Sequence, residues 1–123
     1  MLTKPGFKLF AAFSLFFSST MAVGNEVNEE FKRLYEAEWG QTQPCRETSL
    51  NKYGVCSNVL RNEGNAPFIM HNKQSERVAV LVHGLSDSPF FMRAIAQILF
   101  DEGFSVLVPL LPGHGLRDAG DNM

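Results

Sequence analysis

Two short stretches carry residue types and spacings that could do chemistry. In "VLVHGLSDSP", Val80 to Pro89, an apolar run stops at His83-Gly84 and gives way to the polar turn Leu85-Ser86-Asp87. In "LPGHG", Leu111 to Gly115, a second apolar run ends in Gly113, His114 and Gly115. In open parallel sheets, ligands gather in such turns at the carboxyl ends of strands. Gly84 has no Cβ, so the backbone can turn sharply there and come close to a substrate. A backbone N–H of the turn can then face a developing negative oxygen, helped by the positive end of a following helix. That chemistry is oxyanion stabilisation. His83 and His114 also have a plainer role open to them, satisfying buried backbone groups and holding the loops.

The residues around these turns predict the elements that position them. Val78 to Val82 is an unbroken Val/Ala/Leu run, the pattern of a strand buried on both faces. Ser88 is a good N-cap, with Pro89 at the first helical position. Phe91, Ile95, Ile98 and Leu99 form one apolar face of a helix that ends near Glu102, with Gly103 as its stop. Phe104 to Leu111 reads as a second buried strand. Strand, helix and strand in this order make one right-handed parallel crossover, so the predicted architecture is α/β.

The stretches "VLVHGLSDSP" at 80–89 and "GFSVLVPLLPGHG" at 103–115 resemble the α/β-hydrolase superfamily. Within it they are similar to serine esterases, lipases and monoacylglycerol-lipase-like enzymes. The resemblance covers residues 77–117, about a third of the chain. It implies the N-terminal part of an α/β-hydrolase fold, a mostly parallel sheet with flanking helices, incomplete in this chain. It also implies that the Leu85 N–H is an oxyanion donor and that His83 and Gly84 shape the oxyanion loop. Gly113, His114 and Gly115 would form the loop after the second strand, with His114 matching a loop histidine and not the catalytic one. The implied activity is serine hydrolysis of carboxylic esters, on a small-molecule ester or lipid-like substrate, without a cofactor. The run His-Gly-Leu-Ser departs from the His-Gly-Gly-Pro-Gly of proline iminopeptidases and sets that branch aside.

The family's nucleophile is a Ser in G-x-S-x-G, followed later by an acid and a His. No G-x-S-x-G occurs in the 123 residues. The string Gly103-Phe104-Ser105-Val106-Leu107 lacks the second Gly and sets Ser105 inside a predicted strand. A local triad of Ser86, Asp87 and His114 is rejected, because two of its members are adjacent on the oxyanion turn. The expectation is therefore the N-terminal portion of a longer exported hydrolase, inactive as it stands. The alternative is a non-catalytic small exported α/β module or an unstable remnant.

The rest of the chain bounds this reading. Lys4 and Lys8, the apolar core Leu9 to Phe17 and the small residues Ala22 and Gly24 have the charge, length and exit of a secretory signal peptide, residues 1–24. The rival is a retained membrane anchor. Leu9 to Val23 is only 15 residues and includes four hydroxyl side chains, against the roughly 20 apolar residues a spanning helix needs. The predicted location is periplasmic or secreted, with no membrane span after cleavage. In an oxidising compartment Cys45 and Cys56, an even count, read as a disulfide, with two free thiols as the alternative. The three histidines lie far apart without ligand spacing, so no metal site is expected. A net charge of -2 without a basic run argues against nucleic acid as a partner.

Residues 25–66 are then expected to be an N-terminal helix followed by a disulfide-pinned loop region. The helix would run from Asn25 to Trp39 with Gly40 as its stop, and Ser57 to Leu60 would supply one short strand. Residues 67–123, with a possible strand at Phe68 to His71, would be the start of the truncated hydrolase domain.

Overall fold

The computed structural model describes residues 26–118. The signal-peptide expectation for residues 1–24 lies outside them. Helix α1 spans 26–39 and buries Phe31 and Tyr35, with Val27 and Trp39 beside them. Its stop is Gly40, whose φ of +81° is open to glycine and strained for other residues. The Gly40 N–H bonds back to the Glu36 carbonyl at 2.9 Å, closing the last turn.

Strands β1 (Gln43–Pro44) and β2 (Lys52–Cys56) form an antiparallel hairpin, cross-linked by the Cys45–Cys56 disulfide. A 3-10 turn at Glu63–Asn65 leads into β3 (Phe68–Met70). Next come β4 (Val78–Val80), a 3-10 turn at Pro89–Met92, helix α2 (Arg93–Asp101) and β5 (Ser105–Val108). Among the described residues these strands make one five-stranded sheet in the order β1-β2-β3-β5-β4.

The expected mostly parallel sheet of an α/β-hydrolase fold is corrected by this topology. β1–β2, β2–β3 and β3–β5 are antiparallel, and only β4–β5 is parallel. The cause is the connections. A parallel pair needs a crossover of a dozen or more residues, and only the segment carrying α2 serves as one. The result is a small mixed sheet, mostly antiparallel, with two helices. A second correction concerns residues 41–66, read as loop with a strand at Ser57 to Leu60. They hold β1 and β2, while Ser57 to Leu60 is a turn ending in an isolated bridge from Leu60 to Leu116.

The two faces of the sheet carry separate cores. On one, α1 packs Phe31 and Tyr35 against the disulfide, Val55, Leu60, Ile69 and Leu110. On the other, α2 packs Ala96, Leu99 and Phe100, with Met92 of the preceding turn, against Phe68, Met70, Val106 and Val108.

The packed face of α2 is not the predicted one. Of the four residues expected on it, only Leu99 joins the core. Phe91, Ile95 and Ile98 form an i, i+4, i+7 stripe on the adjacent flank and stay 61%, 46% and 62% exposed. On the opposite flank Arg93 lies over the Phe90 ring at 4.1 Å and 3.6 Å from Glu47, in the β1–β2 loop. The apolar flank is therefore turned toward the β4 side. β4 also differs from its expected burial on both faces. It is the edge strand, and Val78 and Val80 are more than half exposed. Among the described residues no helix is long and apolar enough to cross a membrane.

Candidate functional site

The parallel pair delivers both glycine-rich turns to one end of the sheet. Pairing of β4 with β5 runs from Val78↔Ser105 to Val80↔Leu107, and the Leu81 N–H to Leu107 carbonyl bond at 2.9 Å extends it. Beyond it both chains break, one into His83-Gly84, the other into residues 109–115. Ser88 caps the following turn, its Oγ accepting from the Phe90 N–H at 3.3 Å, with Pro89 next.

The two histidines are set across from each other, ring centroids 5.1 Å apart and edge to face. His83 is buried. Its Nε2 accepts the Leu111 N–H at 3.0 Å. A backbone N–H can only donate, so the proton of neutral His83 sits on Nδ1, which donates to the Gly84 carbonyl at 2.8 Å. Both ring nitrogens of His114 face carbonyls, Nε2 that of Leu85 at 2.6 Å and Nδ1 that of Pro112 at 3.1 Å. A neutral ring donates to one of them, and the shorter contact assigns the proton to Nε2.

These bonds define the direction of the Leu85 N–H. The Gly84 carbonyl also accepts from the Asp87 N–H at 3.1 Å, so it is held on two sides. In a trans peptide the C=O and the next N–H point in opposite directions. The Leu85 N–H therefore points away from the His83 ring, and among the described residues no acceptor takes it. The Leu85 side chain is 79% exposed. What the arrangement offers chemically is one preset N–H donor beside an open turn.

The glycines serve different needs. A Cβ on Gly84 would lie 2.9 Å from Asp87 Oδ2, so Gly84 makes room for the Asp87 carboxylate. Gly113 and Gly115 have φ of +79° and +67°, where glycine alone is unstrained.

Sequence reasoning missed Asn65 and Tyr35. Asn65 Oδ1 accepts from Ser88 Oγ at 3.0 Å and its Nδ2 donates to the Gly115 carbonyl at 3.4 Å, tying the helix cap to the second turn. Tyr35 Oη accepts the Leu110 N–H at 3.0 Å. Burial pushes the Tyr35 hydroxyl up to about 12, and the Leu110 bond pulls the other way. Consecutive N–H groups of residues 110 and 111 are thus held by side chains from α1 and from the first turn. Bonds that join residues 28, 50 and 75 positions apart leave no periodic trace in a sequence.

The remaining candidates stand apart. Ser105 is buried at the start of β5, where its Oγ accepts the Asn72 N–H at 2.9 Å. His114 turns its ring nitrogens to backbone carbonyls, and among the described residues neither Ser86 nor Asp87 bonds to its ring. The Cys45 and Cys56 sulfurs and a Glu63 carboxylate oxygen lie within 4.8 Å of one another, but the sulfurs are bonded together and offer no thiolate. In comparisons with known proteins, no family model, no curated relative and no solved structure matches this chain.

Proposed function

We propose that the two turns form the oxyanion side of a site that cleaves carboxylic esters, in the N-terminal portion of an exported serine hydrolase. The observation that carries this reading is the Leu85 N–H. It stands at the carboxyl end of a parallel strand, its direction is set by the bonds on the Gly84 carbonyl, and it is unspent within the described residues. Such a donor matters most when a carbonyl oxygen takes on full negative charge, as in the tetrahedral intermediate of acyl transfer. There it contributes on the order of 3 kcal/mol. In this reading a serine attacks the ester carbonyl, a histidine takes its proton, and Leu85 N–H shares the oxyanion with a second N–H beside the nucleophile.

No G-x-S-x-G occurs in these 123 residues, so on this reading they would supply only the receiving half of the chemistry. The substrate would be a small-molecule ester or a lipid-like one. The Cys45–Cys56 disulfide is compatible with an oxidising, exported location, periplasmic or secreted.

The test is to sequence the source DNA beyond the Met123 codon and express the product of the whole open frame. A G-x-S-x-G turn, covalent uptake of a fluorophosphonate and hydrolysis of a short-chain p-nitrophenyl ester are the expected results. A whole product that has no such serine and takes up no label sinks the reading. The absence of G-x-S-x-G in these residues favours a second one, a non-catalytic exported module, which that same outcome would select.

A further inference from the structure

We propose that His114 is a positioning residue for the first turn, holding the Leu85–Ser86 peptide and acting with His83 as a reciprocal latch between the two turns. The inference rests on the reading of Leu85 as an oxyanion donor, but its geometry stands apart from that reading. Each histidine belongs to one turn and grips the backbone of the other. His83 takes the Leu111 N–H, and His114 gives its Nε2–H to the Leu85 carbonyl.

Two peptide planes flank Leu85: the first carries its N–H and sets the direction of that donor, and the second carries its carbonyl and the Ser86 N–H and anchors the residue on its far side. The Gly84–Leu85 plane is held through the Gly84 carbonyl, by His83 Nδ1–H and by the Asp87 N–H. The Leu85–Ser86 plane is held through the Leu85 carbonyl, by His114. A packed side chain would normally anchor such a residue, but that of Leu85 is mostly in solvent. Hydrogen bonds from two histidines take the place of packing. Removing His114 frees the second plane, and the Leu85 carbonyl and Ser86 N–H can then swing about ψ of Leu85 while His83 still holds the first plane.

A histidine that merely supported its own loop would, when replaced, disturb residues 112–115 or lower the melting temperature. A positioning residue changes the Leu85 and Ser86 amides while the fold persists. The experiment uses the 123-residue chain, labelled with 15N, as the natural sequence, as His114→Leu and as His114→Gln. The Gln side-chain amide reaches about as far as Nε2 and keeps a donor there.

In His114→Leu the Leu85 and Ser86 amide resonances should both move, Ser86 the more, because the peptide that loses its hydrogen bond to His114 carries the Ser86 N–H. His114→Gln should restore both. Unmoved Leu85 and Ser86 amides in His114→Leu, or no recovery in His114→Gln, overturns the proposal. The natural sequence gives a second reading that needs no variant to fold. Ring 15N shifts should place the proton on Nδ1 of His83 and on Nε2 of His114, with a scalar coupling across the bond from Leu111 N to His83 Nε2. The opposite tautomers, or no coupling, would sink the latch. None of these readouts involves a substrate, so failure here leaves the ester-hydrolase reading to its own labelling test.

Discussion

The half of the molecule around the disulfide and the half around the crossover are finished to different degrees. Around the disulfide, α1 lies across β2, β3 and β5 and closes a core in which Phe31, Tyr35, Val55, Leu60 and Leu110 are all buried. Around the crossover, α2 covers Phe68, Val106 and Val108, yet Ile95 and Ile98 and the preceding Phe91 stay exposed. On the opposite face of the sheet Val78 and Val80 of β4, paired beside Ser105 and Leu107, are bare. The half that carries both candidate turns is therefore the half with unspent apolar surface. The closed core and the candidate turns are divided between the halves, and the segment at 110–111 after β5 joins them, gripped by Tyr35 from one side and His83 from the other. Substitutions in the closed core should be costly, while those on the open flank should cost almost nothing.

The largest effect is expected at the disulfide. Replacing Cys45 and Cys56 with Ala frees a loop closed across 11 residues and should cost roughly 2–5 kcal/mol, read as a fall of the urea midpoint. Gly54 sharpens the point. A Cβ there would meet Cys45 Sγ at 2.9 Å and Cys45 Cβ at 3.2 Å, both on a side chain tied into the cross-link. Gly54→Ala should therefore cost about 1–3 kcal/mol in the intact protein, the range for overpacking. On the Cys45→Ala, Cys56→Ala background most of that cost should vanish, and a double-mutant cycle measures the difference. Equal costs on both backgrounds would mean that the disulfide is not what Gly54 accommodates.

Next in size is the joint between the halves. Tyr35→Phe keeps the ring packing but leaves the Leu110 N–H without its acceptor, at about 1–3 kcal/mol. The hydroxyl also makes stability depend on pH. Its folded value of about 12 lies above the usual 10, so the fold favours the neutral phenol. That contribution is complete below pH 10 and is lost as the pH climbs through about 12, roughly 2–3 kcal/mol in all. Denaturant titrations from pH 8 to 12 should show the loss in the natural sequence. The Tyr35→Phe protein should lose less over the same range, with Tyr53, also raised by burial, accounting for part of what is left. Parallel curves for the two proteins would show that Tyr35 does not couple the halves through its hydroxyl.

What could be read from the sequence follows the same division. The crossover was legible because strand, cap and helix signals agree locally: Ser88-Pro89 starts the turn before α2, and Gly103 follows its end. The α1 helix and its Gly40 stop were legible for the same reason. β2 was not, since Lys52-Tyr53-Gly54 mixes charge, aromatic and glycine. Its burial comes from pairing with β3 and from the disulfide. The Val/Ala run of β4 misled in the opposite sense. It marks a strand built to be covered on both faces, and so does not reveal that it lies at the edge of this sheet. The apolar arc of α2 is wide enough for two packing surfaces, and the sequence could not say which of them this sheet takes. In the site, both histidines could be placed in turns from sequence, but each bond from one turn to the other, and the Asn65 bridge, exists only in three dimensions.

The smallest expected effect is the sharpest check on the open flank. Val80→Lys on β4 and Ile98→Lys on α2 each place a charge where the side chain is already about half or more exposed. Surface substitutions of this kind usually change stability by no more than about 0.5 kcal/mol. A Lys on an edge strand also discourages edge-to-edge pairing, and a charge on the α2 stripe breaks up its apolar patch. The doubly substituted chain should therefore melt within a few degrees of the natural sequence while remaining monomeric to higher concentration in sedimentation. Should it instead lose 2 kcal/mol or more when dilute, Val80 and Ile98 are covered within the single chain in solution. The crossover half would then be as closed as the half around the disulfide, and the contrast between them would fail.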